Sequence, residues 1–166
     1  MTPQLPYSPL QTVALLLLRY LTGWHILYEG IAKAINPQWS SLGFLQQSQG
    51  ILSEFAEWLI SHPTLLSSVD FLNTWGLILI GLSLILGILV KPASLIGSGL
   101  IFVYYLHAVP LVGVESALSP EGSDLIVNKT LIESAALSVL AFFPTSEVFG
   151  FDGLIAKLRT SKRKEK

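Results

Sequence analysis

Three ionisable residues stand four apart in the first apolar stretch of the chain: His25, Glu29 and Lys33. On an α-helix this spacing stacks them on one face, about 6 Å between neighbours. Far along the sequence Lys129 and Glu133 repeat the spacing, with Asn128 beside them. A charged side chain near the middle of a bilayer costs about 2.5–3.5 kcal/mol on insertion scales, so each needs a partner or a purpose. Two acids and two bases at one depth neutralise one another. They also make a site: Glu29 and Glu133 are carboxyls able to carry protons, and His25, Lys33, Asn128 and Lys129 are groups that hold a ligand. Ion pairs that lock helices together are the other use of the same residues, although buried ion pairs are poor stabilisers in general.

Tyr104, Tyr105 and His107 stand in another apolar stretch, followed by Pro110. The Tyr104 hydroxyl and the His107 ring nitrogens suit hydrogen bonding to a ligand carbonyl or proton carriage. They equally suit an aromatic belt at a membrane surface. Pro110 removes a backbone donor, which predicts a kink. Arg19 is different. It lies about 15 Å along the helix from Glu29, and the inner halves of the other stretches hold only hydroxyls such as Ser83, Ser94, Ser98 and Ser138. Arg19 is expected to snorkel toward headgroups or to bind an anion. His25 and His107 have no spacing that marks a bis-histidine haem, and no metal is expected.

The elements that must position these residues are membrane helices. Of 166 residues, 51% are hydrophobic and 13% charged, with a mean hydropathy of +0.61; soluble domains carry about 25% charged residues. Four apolar stretches, at about 10–35, 71–90, 93–114 and 125–143, are each long enough to cross a bilayer. Asn36-Pro37, Lys91-Pro92 and Pro144 punctuate them. The first has no basic residue before Arg19, and Arg19, Glu29 and Lys33 interrupt it, so it is expected to be retained rather than cleaved as a signal. The fold class expected is an all-α integral membrane protein: a four-transmembrane-helix bundle over 1–156, with a basic tail at 157–166. With no cysteine, disulfides, thiol chemistry and iron–sulfur clusters are excluded.

Charge sets the orientation. Lys91 and the six basic residues of 157–166 fall on one side, against Lys33 and Lys129 on the other. Both termini are therefore expected in the cytoplasm. The basic tail reads as a topology anchor against anionic lipid, not as a nucleic-acid contact. Between the first two stretches Phe44, Ile51, Leu52, Phe55, Trp58 and Leu59 recur at helical spacing, which predicts an extracytoplasmic amphipathic helix, at the membrane surface or over the bundle mouth. Trp39, Trp58 and Trp75 fall near the same interface. Small residues four apart (Gly30 and Ala34, Ser83 and Gly87, Ala93 and Gly97) let helices approach closely.

Several runs resemble one family. Arg19-Tyr-Leu-Thr-Gly-Trp-His25, Tyr28-Glu-Gly-Ile-Ala-Lys33 and Asn36-Pro-Gln-Trp39 are similar to the opening of DoxX/DoxD-type membrane proteins. Asn73-Thr-Trp-Gly76-Leu-Ile-Leu-Ile-Gly81, Leu84-Ile-Leu-Gly87, Tyr104-Tyr105 and Asn128-Lys129 with Glu133 continue the likeness. The DoxD branch, which it resembles most, implies the membrane subunit of a thiosulfate:quinone oxidoreductase in a prokaryotic plasma membrane. Quinone is then the ligand, and a second, largely extracytoplasmic protein subunit the partner. Glu29 and Glu133 are expected to relay protons, while Tyr104, His107 or Arg19 contacts the ring or an anionic substrate. The alternative is a non-catalytic anchor or assembly subunit of a larger membrane complex.

Overall fold

The computed structural model describes residues 7–48, 51–107, 127–143, 145–146 and 149–153. Six helices carry these residues: α1 (Pro9–Ala34), α2 (Leu42–Gln46), α3 (Ser53–Ile60), α4 (Pro63–Leu86), α5 (Val90–His107) and α6 (Lys129–Phe142). α1 and α4 are long and apolar enough to cross a membrane. Pro110, the acidic stretch at 115–124 and the basic tail lie outside the described residues.

Local chemistry fixes the helix ends. α1 opens on a capping box, in which Ser8 and Gln11 satisfy each other's backbone donors, with Pro9 in the first turn. Its last turn stops ahead of Asn36-Pro37. α4 begins at Pro63, eight residues before the apolar run at Phe71. Polarity misled the boundary there: the Ser67 and Ser68 hydroxyls donate to the carbonyls of Pro63 and Thr64, so the serines ride within the helix. α4 ends where Gly87 turns left-handed at φ +68°. Leu89 is also at positive φ, 51°, and α5 resumes at Val90. Lys91 and Pro92 therefore sit inside the first turn of α5, where a proline's missing donor costs nothing. α6 starts only at Lys129, capped by Asn128. The expected amphipathic helix is instead two short ones, α2 and α3.

α1 packs along α4, α5 along α6, and α4–α5 and α1–α6 contacts join the two pairs. The α1–α4 seam depends on close approach. A Cβ on Gly81 would lie 2.6 Å from the Leu27 backbone nitrogen, and one on Gly30 would lie 2.8 Å from that of Ile78. On the other seam Gly97 faces Leu137, and the Ser98 hydroxyl donates to the Ser134 carbonyl at 2.9 Å while Ser134 returns a bond to the Ser98 carbonyl at 3.0 Å. Ile26, Leu77, Ile80, Leu84, Ile101 and Leu137 meet in the centre. The opposite face of α1, with Leu10, Leu17, Leu21, Trp24 and Tyr28, is exposed. That inverted pattern is what a hydrocarbon solvent demands.

The ends of the molecule differ. At one end the α4–α5 turn meets the chain after α6: Asp152 N donates to the Gly87 carbonyl at 3.1 Å, and Leu89 N donates to Asp152 Oδ1 at 3.0 Å. At the other, the Asp70 carboxylate accepts from Ser40 Oγ at 2.7 Å and Ser41 N at 2.9 Å, clamping the connection after α1 onto α4. Ser48 Oγ donates to the His107 carbonyl at 3.2 Å and lies 2.9 Å from His107 Nδ1, which ties the α2 end to the last turn of α5.

Candidate functional site

α1 and α6 are neighbours, and their charged faces meet. His25, Glu29 and Lys33 from α1 and Lys129, Thr130 and Glu133 from α6 line one small cavity of about 160 Å³, closed by Tyr104 of α5. An ion pair crosses between the helices, His25 Nε2 to Glu133 Oε1 at 3.7 Å. Lys33 turns back along its own helix to Glu29, Nζ to Oε2 at 4.0 Å. Glu133 Oε1 has no hydrogen-bond partner, so its pairing with His25 is electrostatic only.

Within this cluster Lys33 is the most enclosed of the charges on α1, its side chain 14% exposed against 50% for Glu29 and 56% for His25. Its ammonium lies 5.1 Å from the Trp39 ring centroid and 5.5 Å from that of Tyr104. Both rings offer their electron-rich faces to the cation. The Tyr104 hydroxyl in turn donates to Asn73 Oδ1 on α4. Glu29, Lys33 and Tyr104 thus form a wall, and a second, larger cavity of about 700 Å³ lies beyond it.

That larger space lies among α1, α2, α3, α4 and α5. Its polar end is built by Glu29, Lys33, Trp39, Asn73, Tyr104 and His107. Phe44, Phe55 and Leu59 of α2 and α3 cover it, and Leu72, Ile80, Ile96 and Leu100 extend it between α4 and α5. Its volume is in the range of sites for small organic ligands, as is a mostly apolar lining with a few convergent polar groups. The charges alone do not mark the ligand-sized space. They stand beside it and share a wall with it.

Not every singled-out residue comes to this place. Arg19 is fully buried and far from it. Its Nη1 donates to Thr145 Oγ1 at 2.9 Å and its Nη2 to the Phe149 carbonyl at 2.7 Å, with the guanidinium 5.0 Å from the Tyr20 ring centroid. The expectation of an anionic ligand or a snorkelling side chain gives way to a protein acceptor set from the segment after α6. Asn128 accepts from Leu131 N at 3.0 Å as the α6 cap, so its side chain serves the helix end and does not line either cavity. Tyr105 stacks on Phe102. Reading the sequence for charge missed Asn73 and Gly76, which line the large cavity from α4. Asn73 was visible as a polar residue inside an apolar run; Gly76 carried no such signal.

Fold and site define a helical, membrane-associated protein with a polar-ended internal cavity. A family model, DoxX, matches residues 14–109, more than half of the chain. The chain belongs to the DoxX family. The match covers every lining residue of the large cavity and stops before α6, so it does not reach Lys129 or Glu133. No curated protein and no solved structure matches the chain.

Proposed function

We propose that this protein is the membrane subunit of a quinone-linked oxidoreductase, of the thiosulfate:quinone type, with four spans formed by α1, α4, α5 and α6. In this reading the protein lies in a prokaryotic plasma membrane with both termini cytoplasmic, and α2 and α3 lie on the outer side. The observation that carries it is the cavity of about 700 Å³ with apolar walls and Lys33, Trp39 and Tyr104 at one end. A quinone is an apolar ring with carbonyl acceptors at opposite edges. The Lys33 ammonium donates to one carbonyl, and the Trp39 indole N–H, at the same end of the cavity, serves the other.

Reducing a quinone to a quinol takes two electrons and two protons. The chain has no cysteine and no cofactor-binding motif, so in this reading the electrons come from the second protein subunit. Glu29 stands in the shared wall and supplies protons to the cavity, and Glu133 replenishes it from the small chamber. The anchoring alternative has one observation in its favour: His25 and Glu133 join α1 to α6 as a structural tie would.

The test is a titration of the detergent-purified chain with a decyl-substituted benzoquinone, read by tryptophan fluorescence. Saturable quenching that disappears in Trp39→Phe is expected, with affinity falling about tenfold or more in Lys33→Met. A quenching curve that never saturates leaves the anchor reading standing.

A further inference from the structure

The large cavity has a long axis. α4 and α5 are joined by the three residues Gly87 to Leu89, so they touch at that end. Towards α2 and α3 the cavity lies between them. Val69, Leu72, Gly76 and Ile80 on α4 face Ile96, Leu100 and Val103 on α5 across it. The rim of this cleft is open: Leu72 is 68% and Ile96 65% exposed, and both line the cavity. Each is an apolar side chain on the flank of a helix, at a level that belongs to the hydrocarbon if α4 crosses the bilayer.

Gly76 sits midway along this stripe. A Cβ built on it would meet nothing within 4 Å. That contrasts with Gly30 and Gly81 on the packed seam, where a Cβ would strike backbone. Gly76 is therefore not demanded by helix packing, and a glycine inside an exposed helix is less stable there than alanine. It opens a notch in the cavity wall between the polar residue Asn73 and the deep end at Ile80. The stripe from Asn73 to Ile80 is about 10 Å long by helical rise, the length of a chain of several methylenes.

We infer that the cleft between α4 and α5 is a side entrance from the bilayer, and that the site takes an amphiphile whose apolar tail lies over Gly76 while its polar head reaches Lys33. The head's identity rests on the quinone reading; the entrance and the tail groove do not. Gly76 is the size-determining residue of that groove. Counted from aqueous solution, a tail seated there is expected to give a tenfold or greater preference over a tail-less head.

Two measurements test it, and their failures differ. The chain has no cysteine, so Gly76→Cys provides one thiol for a bimane fluorophore. In bilayers containing lipids with nitroxide on the acyl chain, quenching is expected within twofold of that at Leu79→Cys on the exposed face of α4. Quenching several-fold weaker overturns the entrance. In the second, a tail-less dimethoxy-methyl benzoquinone and its decyl derivative are titrated against wild type, Gly76→Leu and Gly99→Leu. Gly99 also has open space at its Cβ but lies outside the cavity. Gly76→Leu is expected to bring the decyl compound to the affinity of the tail-less ring and to leave the ring itself unchanged, with Gly99→Leu altering neither. Equal loss for both compounds, or loss for neither, overturns the tail groove. If neither ring compound binds wild type, the quinone reading falls, and the bimane result alone decides the entrance.

Discussion

The guanidinium of Arg19 reaches across 126 positions of sequence to hold Thr145 at 2.9 Å, and its second amino group holds the Phe149 carbonyl at 2.7 Å. One buried fork thus ties the first helix to the segment following the last. The same segment lays Gly150 against Gly87, where a Cβ on Gly87 would come within 2.6 Å of the Gly150 Cα. A positive φ and a backbone neighbour at one position leave room for glycine alone.

Arg19→Lys keeps the charge but loses the planar fork that reaches two acceptors at once. Loss of at least one charge-assisted bond is expected to cost about 1.5–3 kcal/mol, read as a lower Tm in detergent. Thr145→Val removes a single acceptor and is expected to cost less. A variant with unchanged Tm and weakened ligand binding would return Arg19 to the role of an anion contact.

Gly81→Ala tests the α1–α4 seam. The added methyl strikes the Leu27 backbone, which has no rotamer to move. Overpacking of this kind costs about 1–3 kcal/mol. Lower Tm and yield are expected, while Gly99→Ala, with open space around it, is expected to be neutral or to stabilise slightly. Equal behaviour of the two alanines would mean that α1 and α4 are not packed as described.

Orientation has a direct reading, because any introduced thiol is the only one. Gln47→Cys after α2 is expected to react with an impermeant maleimide on intact cells. Leu89→Cys in the α4–α5 turn is expected to react only after the cells are opened. The reverse pattern would invert the topology.

The helices were legible because long apolar runs between prolines and glycines admit one reading in a bilayer. Their ends were less so. α4 starts at Pro63 because Ser67 and Ser68 bond their own helix, and an amphipathic pattern over 44–59 does not reveal its division into α2 and α3. The clustering of His25, Glu29, Lys33, Lys129 and Glu133 followed from depth and spacing alone. What sequence spacing does not contain is empty space. The larger cavity arises from where α4 and α5 part and from the missing side chain at Gly76, and neither leaves a chemical signature. Arg19 was opaque for a related reason: its acceptors are a hydroxyl and a backbone carbonyl from the chain after α6, and charge complementarity does not point to either.

Glu133→Gln addresses the small charged chamber behind the wall. The amide keeps the shape of the carboxyl and removes its proton exchange and its charge. Glu133 Oε1 makes no hydrogen bond and lies 3.7 Å from His25 Nε2, and the amide keeps a hydrogen-bonding group in the same place, so folding is expected to survive. If Glu133 replenishes Glu29 with protons, turnover with a quinone acceptor falls by a factor on the order of 10² or more, the loss typical when a positioned proton carrier is removed. Quinone binding, which depends on Lys33 and the apolar walls, stays within about twofold. A structural tie between α1 and α6 gives the opposite result: lower Tm, with turnover per folded molecule unchanged. His25→Gln separates the two further. It breaks the same interhelical pair from the other side, so a tie predicts the same loss of Tm from either variant, whereas a proton carrier at Glu133 predicts the large loss of turnover from Glu133→Gln. Both quantities are measured on one detergent preparation of the complex. Unchanged turnover in a less stable Glu133→Gln protein would make the small chamber a scaffold and remove Glu133 from the chemistry.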